Sequence, residues 1–203
     1  MDTLPHREFE ALRAVSEHGA HAAEQALRQM TGVDIRLDVS RVQTLAFPDV
    51  PALLGGPEAP VVGIHLRVYG DCRANILLAL SPEAALNLVS VLFPPGIESL
   101  EQMQELELSG LTEMGNIVAC AYLNALSQRL GMSLIPSVPM LANDMAGAVV
   151  DVLLIEQGRT SDTAFVVQTE IRSRPGMGGN ILLMPDPASL PRILDALREP
   201  PGA

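Results

Sequence analysis

SLEQMQELELSGLTEMGNIVACAYLNALSQRLG, residues 99–131, reads as one long amphipathic helix. Ser99 with Gln102 three residues on matches a capping box, and Gly131 falls where a left-handed glycine ends a helix, so both ends are marked. At about 100° per residue, Leu108, Leu111, Met114, Val118, Ala121, Tyr122 and Ala125 gather on one side, and Ser109, Glu113, Asn116, Cys120, Asn124 and Ser127 on the other. The first side is built for packing, and the second is a polar stripe. Gly115 in the helix interior costs about 1 kcal/mol against alanine, which implies close approach of another backbone. Ile117 and Leu123 flank the stripe, an apolar rim around a polar centre, and with Cys120 of the stripe they form the expected docking surface.

Outward from this helix the chain divides in two. Before it, Phe9, Leu12, Val15, Ala22, Ala26 and Leu27 recur at three- and four-residue steps, predicting a helix over 5–30 that ends near Gly32. VDIRLDV (33–39) alternates as a half-buried strand, with 40–47 open as its continuation, and the proline- and glycine-rich 48–60 reads as a loop. Residues 61–70 and 72–81 read as two strands joined by a tight turn at Gly70-Asp71, and 81–93 as a helix with a cap serine and Pro82 at its first position. After the long helix, 133–141, 146–158, 163–173 and 178–186 read as strands by their β-branched content, and 186–199 as a helix opened by Pro187.

The two parts repeat one order. NILL at 75–78 returns as NILL at 180–183, each followed by a short turn and a proline. Shifted by 99, the long helices align without a gap: Leu12 with Leu111, Ala22 with Ala121, Ala26 with Ala125, Leu27 with Leu126, Gln29 with Gln128 and Gly32 with Gly131. One period of that length implies a single pseudo-two-fold domain over 1–203 with halves at about 5–93 and 97–199, a mixed α/β fold rather than a solenoid.

Composition excludes several classes. With 13 Lys and Arg against 24 Asp and Glu, the formal charge is −11, and no basic patch exists to neutralise nucleic-acid phosphates. No basic-then-apolar leader and no apolar run of about 18–20 residues is present, so a cytoplasmic protein without membrane insertion is expected. Cys72 and Cys120 read as reduced thiols. His6, His18, His21 and His65 do not share ligand spacing, so no metal site is expected. The glycine-rich turn at 176–179 precedes a strand, the wrong order for a phosphate-binding loop. Asn75 and Asn180 read as structural turn residues.

Glu113 and Asn116 lie three apart, so a carboxylate and a carboxamide project together, with Ser109 one turn earlier. The spacing Ser109-x3-Glu113-x2-Asn116-x22-Pro139 resembles the D/S-x3-E-x2-N-x22-P signature of the CheC/CheX/FliY family of chemotaxis phosphatases. The string EMGNIVACAYLNALSQRLG, the duplicated layout and a length like that of CheC extend the resemblance over essentially the whole chain. It implies a largely antiparallel sheet with the two long helices side by side on one face. It also implies dephosphorylation of a CheY-type receiver domain, with Asn116 orienting the attacking water and Glu113 pairing with the partner's active-site lysine. Mg²⁺ would be the partner's, and this chain would need no cofactor of its own.

The first half departs from the pattern, with Glu10, Ala14 and Glu17 standing where Ser109, Glu113 and Asn116 stand, and Ser40 where Pro139 stands. Pairing Glu17 with Glu113 instead leaves Ala20 in the asparagine position, so under either alignment only the second half carries the motif. A competing reading is a module that docks a receiver, or a CheD-type receptor deamidase, with little turnover. Pseudo-symmetry within one chain makes a monomer the expected state.

Overall fold

The computed structural model describes residues 5–94, 96–157 (backbone only for 154–157), 162–173 and 178–198. Its helices are α1 (His6–Thr31), α2 (Pro82–Leu92), α3 (Glu105–Leu130), α4 (Ala146–Gln157) and α5 (Leu190–Arg198). Its strands are β1 (Arg36–Ala46), β2 (Pro60–Gly70), β3 (Ala74–Leu80), β4 (Leu134–Pro136), β5 (Met140–Met145), β6 (Thr163–Arg172) and β7 (Gly179–Pro185). They form one antiparallel sheet in the order β1-β6-β7-β3-β2-β4, with β5 pairing β2 beside β4.

The pairing carries the repeat. β3 and β7 are the central neighbours, and Leu77 is registered against Leu182, the same position of the two NILL strings. A pseudo-two-fold axis therefore passes between them. Around it, β1 of the first half pairs β6 of the second, and β4 and β5 of the second pair β2 of the first. Neither half closes its own sheet. The first half donates β1 and the second β4 and β5, so the two halves share one sheet.

One face of the sheet packs α1, α3, α2 and α5 over Ile64, Leu66, Ile76, Leu78, Phe165 and Val167. α1 and α3 lie side by side, as expected. Gly19 of α1 lets them close up, because a Cβ there would run into Leu126 and the Tyr122 ring. α3 buries Leu111, Met114, Val118, Tyr122, Leu123, Leu126 and Leu130, and a buried side chain of that size is worth about 1.5–3 kcal/mol. Packing therefore fixes the helix firmly while its outer face stays free. Gly32 (φ 67°) and Gly131 (φ 62°) end the two helices in the left-handed conformation, as the glycines predict.

The opposite face carries Leu77, Ala79, Val166, Leu182 and Met184 under α4 and a 3-10 helix at Phe47–Leu54. Here the structure corrects two expectations. Residues 146–157 form a helix, not a strand: Ala146, Val149, Val150 and Leu153 are buried at helical steps, so burial overrides the β-branched content. Residue 158 lies outside the described residues. The first part of 48–60 is helical rather than loop, held over the sheet by buried Val50.

Three boundaries also differ. Ser99 does not cap the long helix; Leu100–Gln102 is a separate 3-10 turn, and α3 starts one turn later. The capping box belongs to Gln104 and Glu107, whose carboxylate accepts from Gln104 N at 2.9 Å. Residues 133–141 are not one strand, because the chain breaks at 137–139 between β4 and β5. Pro187 lies in a turn, and α5 begins at Leu190; residue 199 lies outside the described residues. The turn at Gly70-Asp71 is present, with Gly70 at φ 104° against the Ser133 carbonyl. Ser81 caps α2 by accepting from Ala84 N at 3.1 Å.

Asn75 and Asn180 are not turn residues. Both lie within strands on the α4 face, where Asn75 Oδ1 lies 2.8 Å from His65 Nε2 and Asn180 Oδ1 accepts from Gln168 Nε2 at 2.8 Å. The axis relates these two bridges to each other.

Candidate functional site

α3 presents its polar stripe on the side away from the sheet. Glu113 and Ile117 are exposed and Asn116 and Cys120 half-buried, while Met114, Gly115, Val118 and Ala119 between them are in the core. Gly115 supports this arrangement differently from the sequence expectation. A Cβ there would meet the Ile64 side chain, at 2.7 Å from Cδ1 and Cγ2, so the close neighbour is a sheet residue and not another backbone. The glycine lets α3 sit close on the sheet.

Three stripe residues touch in sequence along the helix. Asn116 Nδ2 donates to Glu113 Oε2 through a long hydrogen bond of 3.4 Å, and Cys120 Sγ donates to Asn116 Oδ1 at 3.5 Å. The carboxamide is therefore held between a carboxylate one turn before it and a thiol one turn after. Burial pushes the Cys120 thiol above its ordinary value, and the Glu113 charge pushes it further the same way, so it stays protonated.

Ser109 is exposed one turn before Glu113, and both line an open groove with Met103, Gln104, Glu105, Leu108 and Thr112. Pro139 is half-buried at the start of β5, in the link between the two short strands on which α3 packs. Leu123 does not belong to the rim, being 1% exposed in the core, and Leu108, assigned to the packing side, is 38% exposed. The apolar rim is instead Leu106, Leu108 and Ile117. Leu106, seven residues before Glu113 and thus two turns along the same face, is the member the sequence reading missed.

α1 shows what the stripe looks like without the motif. Ala14 and Glu17 occupy the equivalent positions, and Glu17 accepts from Arg13 Nε at 3.2 Å. Glu24 and Asp34 pair Arg28 at 3.5 and 3.1 Å, and the His21 ring lies against Gln25 at 3.0 Å. This is a mutually neutralised surface. Among the described residues no three His, Cys, Asp or Glu side chains gather as metal ligands, and no helix is long and apolar enough to cross a membrane.

No family model matches the chain. It is 29% identical over 199 residues to the Bacillus subtilis protein described as CheY-P phosphatase CheC, an alignment spanning 96% of this chain and 95% of that one. Among solved structures, Thermotoga maritima FliY superposes with a TM-score of 0.73 at 15% identity, over 97% of this chain and 98% of that one. The complex of CheX with CheY, BeF3 and Mg²⁺ from Borrelia burgdorferi matches with a TM-score of 0.58 at 17% identity, over 83% and 96%. At these identities the structural matches speak for the fold.

Proposed function

From its similarity to Bacillus subtilis CheC and the fold it shares with FliY and CheX, we propose that the chain is a member of the CheC/CheX/FliY family and accelerates hydrolysis of the aspartyl phosphate on a CheY-type receiver domain. The observation that carries the proposal is the pair Glu113 and Asn116, side by side on the outer face of a helix whose inner face is locked into the core. In the reaction a water attacks phosphorus, the bond to the aspartyl oxygen breaks, and inorganic phosphate and a free carboxylate leave. Such a loose transition state asks for positioning and charge neutralisation rather than a protein nucleophile. The receiver would bring its own lysine and Mg²⁺. Asn116 would supply the water's orientation, its carbonyl oxygen accepting one water proton so that the oxygen lone pair faces phosphorus. Glu113 would pair with the receiver's lysine and fix the register of the two proteins.

The name of the Bacillus subtilis relative and the CheX–CheY complex support this substrate class. Action on a receiver implies a cytoplasmic protein, and the self-contained pseudo-symmetric sheet is consistent with a monomer. The ion-paired face of α1 favours a competing reading, a module that docks a receiver or a CheD-like deamidase with little turnover. One assay separates them: receivers from the same genome are phosphorylated with acetyl phosphate and their decay is followed with and without this protein. Faster decay of at least one supports the phosphatase. Unchanged decay of all of them leaves the docking module.

A further inference from the structure

Resting on that reading, we infer that Cys120 is a positioning residue, whose thiol holds the Asn116 carboxamide with its oxygen in the one orientation that serves the water. A primary amide has two nearly isosteric orientations, related by exchanging oxygen and NH₂. Only the oxygen accepts a proton from water, so an amide free to turn spends part of its time unproductive.

The neighbours on α3 decide between the two. Glu113 is a carboxylate, which only accepts, so the amide edge toward it must be NH₂; the contact is Nδ2 to Oε2 at 3.4 Å. That alone is a long bond. On the other edge Cys120, one turn later, sends its Sγ–H to Oδ1 at 3.5 Å, an ordinary separation for a sulfur donor. An acceptor on one side and a donor on the other choose the same orientation. Exchanging the amide ends would set oxygen against carboxylate and NH₂ against S–H. Because Oδ1 has two lone pairs, the thiol takes one and leaves the other for water.

The surroundings suit a thiol in this task. Cys120 is half-buried, and burial together with the Glu113 charge keeps it a thiol rather than a thiolate, hence a donor. The other half of the molecule offers no counterpart: at the position of Cys120, α1 carries His21, whose ring faces Gln25.

Two substitutions separate donation from packing. Cys120→Val removes the donor and keeps an apolar side chain, one that is β-branched and slightly larger, whereas Cys120→Ser keeps a donor. Decay of a phospho-receiver is measured across receiver concentrations. Valine is expected to lower kcat about three- to tenfold, the range for one lost neutral hydrogen bond, with KM unchanged, and serine to restore it to within about twofold, the lower part of that range. A valine variant within twofold of wild type, or a loss that serine fails to restore, overturns the assignment.

A second measurement does not depend on turnover. In nuclear Overhauser spectra of ¹⁵N-labelled protein, the Asn116 amide protons should contact Glu113 and not Cys120 in wild type and Cys120→Ser, and contact both in Cys120→Val. Contacts to both in wild type overturn the positioning role. If no receiver is dephosphorylated by wild type, the proposed function fails and this spectrum alone judges the orientation.

Discussion

α1 and α3 have the same length, 26 residues, the same left-handed glycine at the end, and the same face of the sheet beneath them. Their inward sides match residue for residue at Leu12 and Leu111, and at Leu27 and Leu126, all of them buried. Outward they part: Arg13, Glu17, Glu24 and Arg28 neutralise one another on α1, whereas α3 shows Glu113 and Asn116 beside Cys120 and an apolar rim. The difference teaches that the fold dictates only the inward side of a helix. What faces solvent is free to vary, and only α3 carries the Glu113–Asn116 pair.

The comparison can be pushed hardest at Glu113. Glu113→Lys places a like charge where the receiver's lysine is proposed to dock, and like-charge contacts cost several kcal/mol. Phospho-receiver decay should then lose at least about a hundredfold of its acceleration, at about 1.4 kcal/mol per tenfold. The mirror change Glu17→Lys on α1 should leave the decay unaltered. Equal losses from both would mean that α1 also docks the substrate.

A smaller effect tests how the site is supported. Gly115→Ala forces a methyl group onto Ile64, which is fully buried, and overpacking of this kind costs about 1–3 kcal/mol. Over most of that range it outweighs the roughly 1 kcal/mol that alanine brings a helix over glycine. Urea midpoints should fall for Gly115→Ala, and less once Ile64→Val makes room. Stabilisation by Gly115→Ala would contradict the tight seat of α3 on β2.

The smallest effect lies in the paired bridges behind the sheet. His65 and Asn75 stand where Gln168 and Asn180 stand across the axis, but only the first bridge titrates. Burial holds the His65 pKa below its ordinary 6.5, opposed in part by the Asn75 hydrogen bond and aided by Arg67. Above pH 6.5 the ring is neutral folded or unfolded; below it the unfolded chain takes the proton first, so stability falls as the pH drops toward the folded pKa. His65→Gln copies the other bridge and should show a smaller fall in Tm from pH 7 to pH 5. Parallel Tm curves for the two proteins would contradict this reading.

Much of this was legible in the sequence because local signals agreed with the final packing. The glycine stops after α1 and α3 and the serine cap of α2 act within a few residues, and the NILL repeat announced the duplication whose two copies the structure registers at Leu77 and Leu182. Misreadings arose where tertiary burial decided. AGAVVDVLLIEQ has strand composition but is wound into a helix because the second face of the sheet needs a lid. Leu123 looked like rim because it flanks the polar stripe on the helix, yet α3 turns it into the core. At the site, the spacing of Glu113 and Asn116 placed them together in advance. The thiol's bond to the carboxamide required coordinates, since i to i+4 spacing permits a contact without saying which atoms make it.

The central claim is that one helix face, and not its pseudo-symmetric twin, removes phosphate from the receiver. Decay of a phosphorylated receiver with Asn116→Ala and with Glu17→Ala, measured side by side, tests it most directly. The account expects decay at the spontaneous rate for Asn116→Ala and at the wild-type rate for Glu17→Ala. Acceleration by Asn116→Ala above half that of the wild type would contradict it.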